Sequence, residues 1–417
     1  MRVSLLSALN DTHIDANQTS SQRQLALSIA ANSEAIDRTL PLNLCLILDH
    51  SGSMGGKPLE TVKEAAINLL QALGPDDRFS VVAFDHEAKV IVPNQSTENI
   101  NSVITQIKNL KAKGGTAIDK GLKLGIQEAA GAKLNRVSHI FLLTDGENEH
   151  GDNEKCLKLA QLASEYGITV NSLGFGAHWN QDILEKVADL SGGSLSYIEQ
   201  PETALAEFTR LFTRLQSVGL TNAFLEIELD SRVRLAELKP VAQVAPETIE
   251  LTAQQENNFY NVRLGDILVD QEKIILVNLY LNQLAAGNQT IARVRVRYDD
   301  PATEKTGLYS ETLPVNVESQ GVYSSQINDK VQKSVLTLAK YRQTQIAEDK
   351  LKQGDRIGAA TMLQTAANTA IKLGETNAAT VLQSNATRLQ VGENLSEADL
   401  KKTRILSKTR LQDDGKA

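Results

Sequence analysis

At 417 residues with 41% apolar side chains, the chain has room for two or three domains and a core that needs no covalent staples. Its formal net charge is −8, with 43 basic and 51 acidic residues interspersed. That argues against nucleic acid as the main partner, because phosphate binding needs a concentrated basic surface.

Two cysteines, Cys45 and Cys156, do not make a disulfide framework and suit a reducing compartment. No apolar run reaches the roughly 18 residues of a membrane span. The N-terminus lacks the long apolar stretch of a secretory signal, so a cytoplasmic location is expected.

Residues 1–40 carry two strand-like runs, 2–8 and 24–31, joined by a polar loop. From Pro41 onward, apolar runs of strand length alternate with helical segments. A buried strand over 43–48 ends at Asp49, and a helix follows with Leu59, Val62, Ala66, Leu69 and Leu70 at helical spacing. Runs 78–84 and 88–92 read as a hairpin about Asp85-His86-Glu87. Two helical stretches flank Gly114-Gly115-Thr116. Then come a strand (138–143), a helix (154–166), a strand (169–174), a helix (181–190), a short strand (194–198) and a helix (202–215). This order predicts a doubly wound α/β domain over 41–217.

Over 218–322 the helical period vanishes. Strands are expected at 223–229, 248–252, 258–264, 273–281, 291–298 and 313–317, forming an antiparallel β-sandwich. The fifth alternates cleanly, with Ala292, Val294, Val296 and Tyr298 on one face and Arg293, Arg295 and Arg297 on the other. A lone N-terminal hairpin would be marginal in water, so residues 1–40 are expected to pair with the sandwich. The α/β domain is then an insertion in it.

The C-terminal domain, 323–417, is helical again, over 324–412. Ile327, Val331, Val335 and Leu338 form one stripe, Asp355 and Ser396 suit N-caps, and Gly374 suits a helix end. The segment from Gly354 to Leu373 resembles one tetratricopeptide-type hairpin, without a second copy. The basic run 401–408 reads as a solvated helix face.

Chemistry concentrates in three loops. Asp49, Ser51 and Ser53 follow a strand directly, where open α/β sheets bind ligands, and Gly52, Gly55 and Gly56 permit a tight turn. Thr116 follows two glycines, and Asp145 lies just past the strand 138–143. An Asp or Ser after a strand is, on its own, more often a helix cap. Together the five offer only hard oxygen donors, which suit Mg²⁺ or Mn²⁺ better than zinc.

Asp49-x-Ser51-x-Ser53, Gly114-Gly115-Thr116 and Thr144-Asp145-Gly146 resemble, in order and spacing, the metal-ion-dependent adhesion site of von Willebrand factor type A domains. The resemblance spans roughly 41–217. It implies that Ser51 and Ser53 bind a metal directly, and that Thr116, Asp49 and Asp145 bind directly or through water. One position would be left for an acidic residue of a protein partner. It further implies a shift of the helix 202–215 that relays binding to the sandwich. The architecture is similar to integrin β subunits and inter-alpha-trypsin inhibitor heavy chains. Without a signal peptide, the chain looks more like cytoplasmic bacterial members.

Other motifs fail. Gly174-Phe175-Gly176 lacks the third glycine of a dinucleotide loop, Trp179 standing in its place, and reads as a structural turn. His50 should alternate away from the ion. His150 and Asp152 are the nearest candidates for a catalytic base, although a solvated loop is their ordinary reading. The expected function is a non-enzymatic, metal-dependent protein-binding adaptor. The alternatives are a metal-assisted phosphoesterase and a scaffold that self-assembles through the Ala-rich faces of the tail.

Overall fold

The computed structural model describes residues 3–32, 40–133, 135–269 and 271–408. The chain opens with β1 (Val3–Leu9), β2 (His13–Asp15) and β3 (Ser20–Ala31). An α/β unit follows: β4 (Leu42–Asp49), α1 (Lys57–Gln71), β5 (Arg78–Phe84), β6 (Ala88–Ser96), α2 (Ile100–Lys108) and α3 (Ile118–Ala130). It continues with β7 (Val137–Thr144), α4 (Asn153–Glu165), β8 (Thr169–Phe175), α5 (Gln181–Ser191), β9 (Leu195–Ile198) and α6 (Ala204–Gln216).

Its six strands run β6-β5-β4-β7-β8-β9, parallel except for the β5–β6 hairpin. β4 and β7 are buried along their whole length because helices cover both faces of the sheet, which is why they are continuously apolar. Leu44, Leu46 and Leu48 face one layer, with α1, α2 and α6, while Cys45 and Ile47 face α3, α4 and α5.

Beyond α6 come β10 (Val218–Leu229), β11 (Val233–Leu235), β12 (Val241–Ala245), β13 (Ile249–Leu251), β14 (Ala253–Glu256) and β15 (Phe259–Leu268). β16 (Lys273–Asn282), β17 (Gly287–Asp300), β18 (Lys305–Tyr309) and β19 (Leu313–Gln320) complete the strands. One sheet runs β1-β3-β16-β12-β13 with β11 on β16; the other runs β14-β15-β10-β17-β19-β2 with β18 on β17. β3 pairs antiparallel with β16 from Ile29↔Lys273 to Ser20↔Asn282. The N-terminal strands therefore belong to the sandwich, and the α/β unit is inserted between β3 and β10. Leu25, Leu27 and Ile29 pack across the sandwich on Leu225, Ile227, Val294 and Val296. On the outer face, Arg295 lies over Phe259 and Tyr309, and Arg297 over Phe224.

β12 escapes a reading based on alternation because it is buried on both sides. Val241 faces the sandwich core, while Ala242 and Val244 face the first helix of the tail. That tail comprises α7 (Asp329–Lys352), α8 (Arg356–Leu373), α9 (Thr376–Gln390) and α10 (Glu397–Lys408). Asp355 caps α8 through the Gly358 N–H, and Gly374 ends it with a positive φ. Ile327 precedes α7 and is exposed, so the expected stripe begins at Val331. The Ala-rich faces of α8 and α9 pack within this domain and are not free for a second copy. Residues 409–412, and Arg2 in the first expected strand, lie outside the described residues.

The run 401–408 is not a solvated face. Lys401, Thr403, Ser407 and Lys408 are buried, and α10 docks on α5. Lys408 reaches Glu185 at 3.0 Å and Asp189 at 2.6 Å; Arg404 reaches Asp182 at 2.6 Å and Glu348 at 3.1 Å. Lys402 pairs with Glu199 at 2.7 Å, and Lys401 donates to the Ala177 carbonyl while sitting 4.5 Å over the Trp179 ring. The run looked solvated because its acidic partners are far away in sequence.

The tail is also tied to the N-terminus. The buried Asp11 carboxylate accepts from the Tyr323 hydroxyl at 2.6 Å, the Ser325 hydroxyl at 2.8 Å, and the N–H groups of His13 (2.9 Å) and Gln326 (3.1 Å). Burial opposes its charge, but these donors outweigh burial and hold it at about 2, below the ordinary 3.8. A carboxylate with a depressed folded-state pKa stabilises above its unfolded pKa, and that stabilisation is lost as pH falls through the folded value. Asp11→Asn should lower the unfolding free energy by about 2 kcal/mol at neutral pH. The deficit against wild type should close between about pH 4 and pH 2 in urea titrations.

Candidate functional site

β4 and β7 are neighbours, with Leu48 opposite Leu143, so their carboxyl ends place Asp49 beside Thr144. Asp49 is fully buried. The Ser51 N–H donates to its Oδ1 at 2.7 Å and the Thr144 hydroxyl donates to its Oδ2 at 2.6 Å. The Ser51 and Ser53 hydroxyl oxygens lie 3.1 Å apart, and Ser53 donates to Asp145 Oδ1 at 2.7 Å.

The second loop is tied to the first by the Gly52 N–H on the Gly114 carbonyl at 3.0 Å and the Lys113 N–H on the His50 carbonyl at 2.8 Å. It is tied to the third by the His150 N–H on the Thr116 carbonyl at 2.9 Å. A Cβ added at Gly146 would stand 3.0 Å from the Thr116 hydroxyl oxygen, so the second and third loops meet there. The loop needs its glycines. Gly114 has φ +71°, and a Cβ there would stand 2.5 Å from His86 Nδ1; at Gly115 it would stand 2.4 Å from the His150 ring.

The structure thus gathers Asp49, Ser51, Ser53, Thr116 and Asp145 at one end of the sheet. All but Asp49 line an open cavity of ≈ 360 Å³, with Asp49 behind them. Its remaining lining includes Glu147, Glu149, His178 and Glu397, none of them singled out from sequence. Glu147 and Glu149 were findable from their place just after Asp145. Glu397 was not, since it comes from α10.

Thr144, quoted in the third motif without a role, and Asn148, not quoted at all, act as positioning residues. Thr144 holds Asp49, and the Asn148 side chain accepts from the Ile118 N–H at 2.7 Å, fixing the start of α3 behind Thr116. His50 points elsewhere, its Nδ1 lying 3.0 Å from the Lys111 carbonyl. His150 packs on Gly115, and Asp152 caps α4 through the Lys155 N–H at 3.1 Å. Neither lines the cavity. Gly174 lies within β8, with the Trp179 indole where its Cβ would be, and the turn falls at Gly176, whose φ is +66° and whose carbonyl accepts from the indole N–H at 2.8 Å.

Burial pushes the Asp49 carboxyl up to about 6, against the bonds from Thr144 and Ser51, and Asp145 adds repulsion. Burial also raises Asp145. Two carboxylates disfavoured by burial, Asp49 also by the charge of Asp145, beside three hydroxyls, fit a hard divalent cation, whose charge would offset both. Among the described residues, no three of His, Cys, Asp and Glu converge as a metal group, so an ion held here would draw on the Ser51, Ser53 and Thr116 hydroxyls as well as on carboxylates.

This fold and loop set define a class. Residues 43–211 match the family model described as von Willebrand factor type A domain. Residues 329–413 match the Sll0103-like, C-terminal alpha-helical domain. The protein sll0103 of Synechocystis sp. is 59% identical over 412 residues, covering 99% of this chain and 98% of that one. The chain belongs to this Sll0103-like family of von Willebrand factor type A proteins. The solved structure of a von Willebrand factor type A protein from Catenulispora acidiphila shares the fold, with a TM-score of 0.83 at 17% identity over 99% of this chain and 98% of that one. Inter-alpha-trypsin inhibitor heavy chain H4 of Bos taurus is 28% identical over 199 residues, which is 45% of this chain but only 22% of the heavy chain. Among the described residues, no helix is long and apolar enough to cross a membrane.

Thr144 orients Asp49 from outside the donor set, and removing such a supporting bond typically costs metal affinity 10–100-fold. Thr144→Val should weaken Mn²⁺ binding by about tenfold in calorimetric titration while leaving the circular dichroism spectrum unchanged.

Proposed function

We propose that the protein holds Mg²⁺, with Mn²⁺ as an equivalent, through Asp49, Ser51, Ser53, Thr116 and Asp145, and uses the ion to bind a carboxylate of a partner protein. The observation that carries this is the cavity itself: three loops turn oxygen donors into it, and among the described residues acidic side chains but no lysine or arginine line it. An oxygen-coordinated Mg²⁺ keeps water in its shell, and an Asp or Glu from a partner can replace one. The bound metal supplies a charge-assisted contact; the protein's own residues set its position and exclude other approaches.

Glu147 and Glu149 at the mouth also shape the partner. A bare acidic surface would be repelled there, so the best fit is a carboxylate flanked by Lys or Arg. The proposed role is that of an adaptor without catalysis. The residues weighed as a base, His150 and Asp152, are engaged in loop packing and helix capping, which favours binding over hydrolysis. α6 packs in the same core as α1 and runs into β10 of the sandwich, so a relay from site to sandwich has a continuous path. A cytoplasmic, reducing location is proposed from the two buried free thiols, Cys45 and Cys156.

The test is retention of a lysate protein on immobilised full chain. A partner held by wild type with Mg²⁺, eluted by EDTA and not held by Asp145→Ala supports the proposal. The same proteins held in all three conditions would instead assign binding to the sandwich or the tail.

A further inference from the structure

The cavity at the five donors is not built by the α/β domain alone. Glu397, the first residue of α10, lines it together with Ser51, Ser53, Thr116 and Asp145. The placement follows from how α10 is held. Arg404 and Lys408 bind α5 at one end of the helix. One turn from Glu397, Lys401 grips the Ala177 carbonyl and the Trp179 ring, on either side of His178. That segment follows the carboxyl end of β8, at the same edge of the sheet as the ends of β4 and β7. The helix start is thereby pinned at the cavity mouth.

Among the described residues, Glu397 makes no close bond that accounts for this position. Its side chain is 67% exposed, and its ion-pair contacts, with His178 at 3.9 Å and Lys401 at 4.0 Å, are long. It faces a cavity already lined by Asp145, Glu147 and Glu149, so a fourth carboxylate there adds repulsion unless a cation is present. The neighbouring anchors hold it there nonetheless.

We propose that Glu397 is a resident carboxylate of the metal site, contributed by the helical domain, which takes the position a partner's carboxylate must win. This rests on the metal proposal above. The site is then shared by two domains: the ion tightens the docking of α10, and a partner carboxylate that displaces Glu397 loosens it. α10 becomes the element that reports occupancy to the helical domain.

Mn²⁺ alone is the probe, titrated calorimetrically into full-length wild type, Glu397→Gln, Glu149→Gln and Asp145→Ala. Wild type should bind one Mn²⁺ and Asp145→Ala should lose it. Glu397→Gln should bind about tenfold more weakly, while Glu149→Gln stays within about twofold. Amide exchange over 397–408 should slow on adding Mn²⁺ to wild type but not to Glu397→Gln. Unchanged affinity in Glu397→Gln overturns the inference and leaves the metal proposal standing, as does an equal loss in Glu149→Gln, which would show a through-space charge effect. A wild type that binds no Mn²⁺ overturns both.

Discussion

The Asp49 carboxylate sits at the end of a strand buried on both faces, and its neighbours decide what it can do. Two bonds hold it, from the Ser51 N–H and the Thr144 hydroxyl, and burial still raises its pKa. The second bond depends on the register of β4 against β7, because a slip of one residue would turn Thr144 to the opposite face. The first depends on the turn through Gly52, which is bonded in turn to the Gly114 carbonyl. Sheet register, the two glycines of the second loop and the carboxyl pair Asp49 and Asp145 therefore form one constraint. A cation is the simplest way to satisfy two acids brought this close.

The helical domain joins the sandwich to the α/β domain. α7 lies on the sandwich through Val331, Leu338 and Tyr341, against Ala242, Val244 and Leu276. α10 returns to the α/β domain, and its last carbonyl accepts from the Thr248 N–H of the sandwich at 2.7 Å. Buried ion pairs are weak arguments for net stability, since desolvation offsets most of their attraction. Their value here is register. Arg404 and Lys408 are four residues apart on α10, as are Glu185 and Asp189 on α5, so both rows meet at one alignment of the helices. Sliding by a turn would leave a buried charge without a partner. That alignment also sets where Glu397 stands.

Much of this was legible in the sequence, and the gaps have physical causes. Parallel strands buried on both faces, such as β4 and β7, announce themselves as apolar runs, and the three oxygen-bearing loops follow such strands or paired glycines. The alternation of Arg293, Arg295 and Arg297 with Val294 and Val296 marked β17 and the face it buries. β12 was hidden because it is covered on both sides, by the sandwich core and by α7, and so has no polar period. The charges of 401–408 looked solvated because burial depends on Asp182, Glu185 and Asp189, more than two hundred residues earlier. Glu397 was invisible for the same reason: its place at the cavity is set by where α10 docks, and no local spacing carries that.

A divalent cation held among these oxygens would be seen in a crystal of the full chain grown with Mn²⁺, with anomalous scattering recorded. The expected map has one Mn²⁺ peak in the cavity, within coordination distance of the Ser51 and Ser53 hydroxyl oxygens and beside Asp145. A map with no peak there, or with Mn²⁺ bound only elsewhere on the chain, would contradict the metal site.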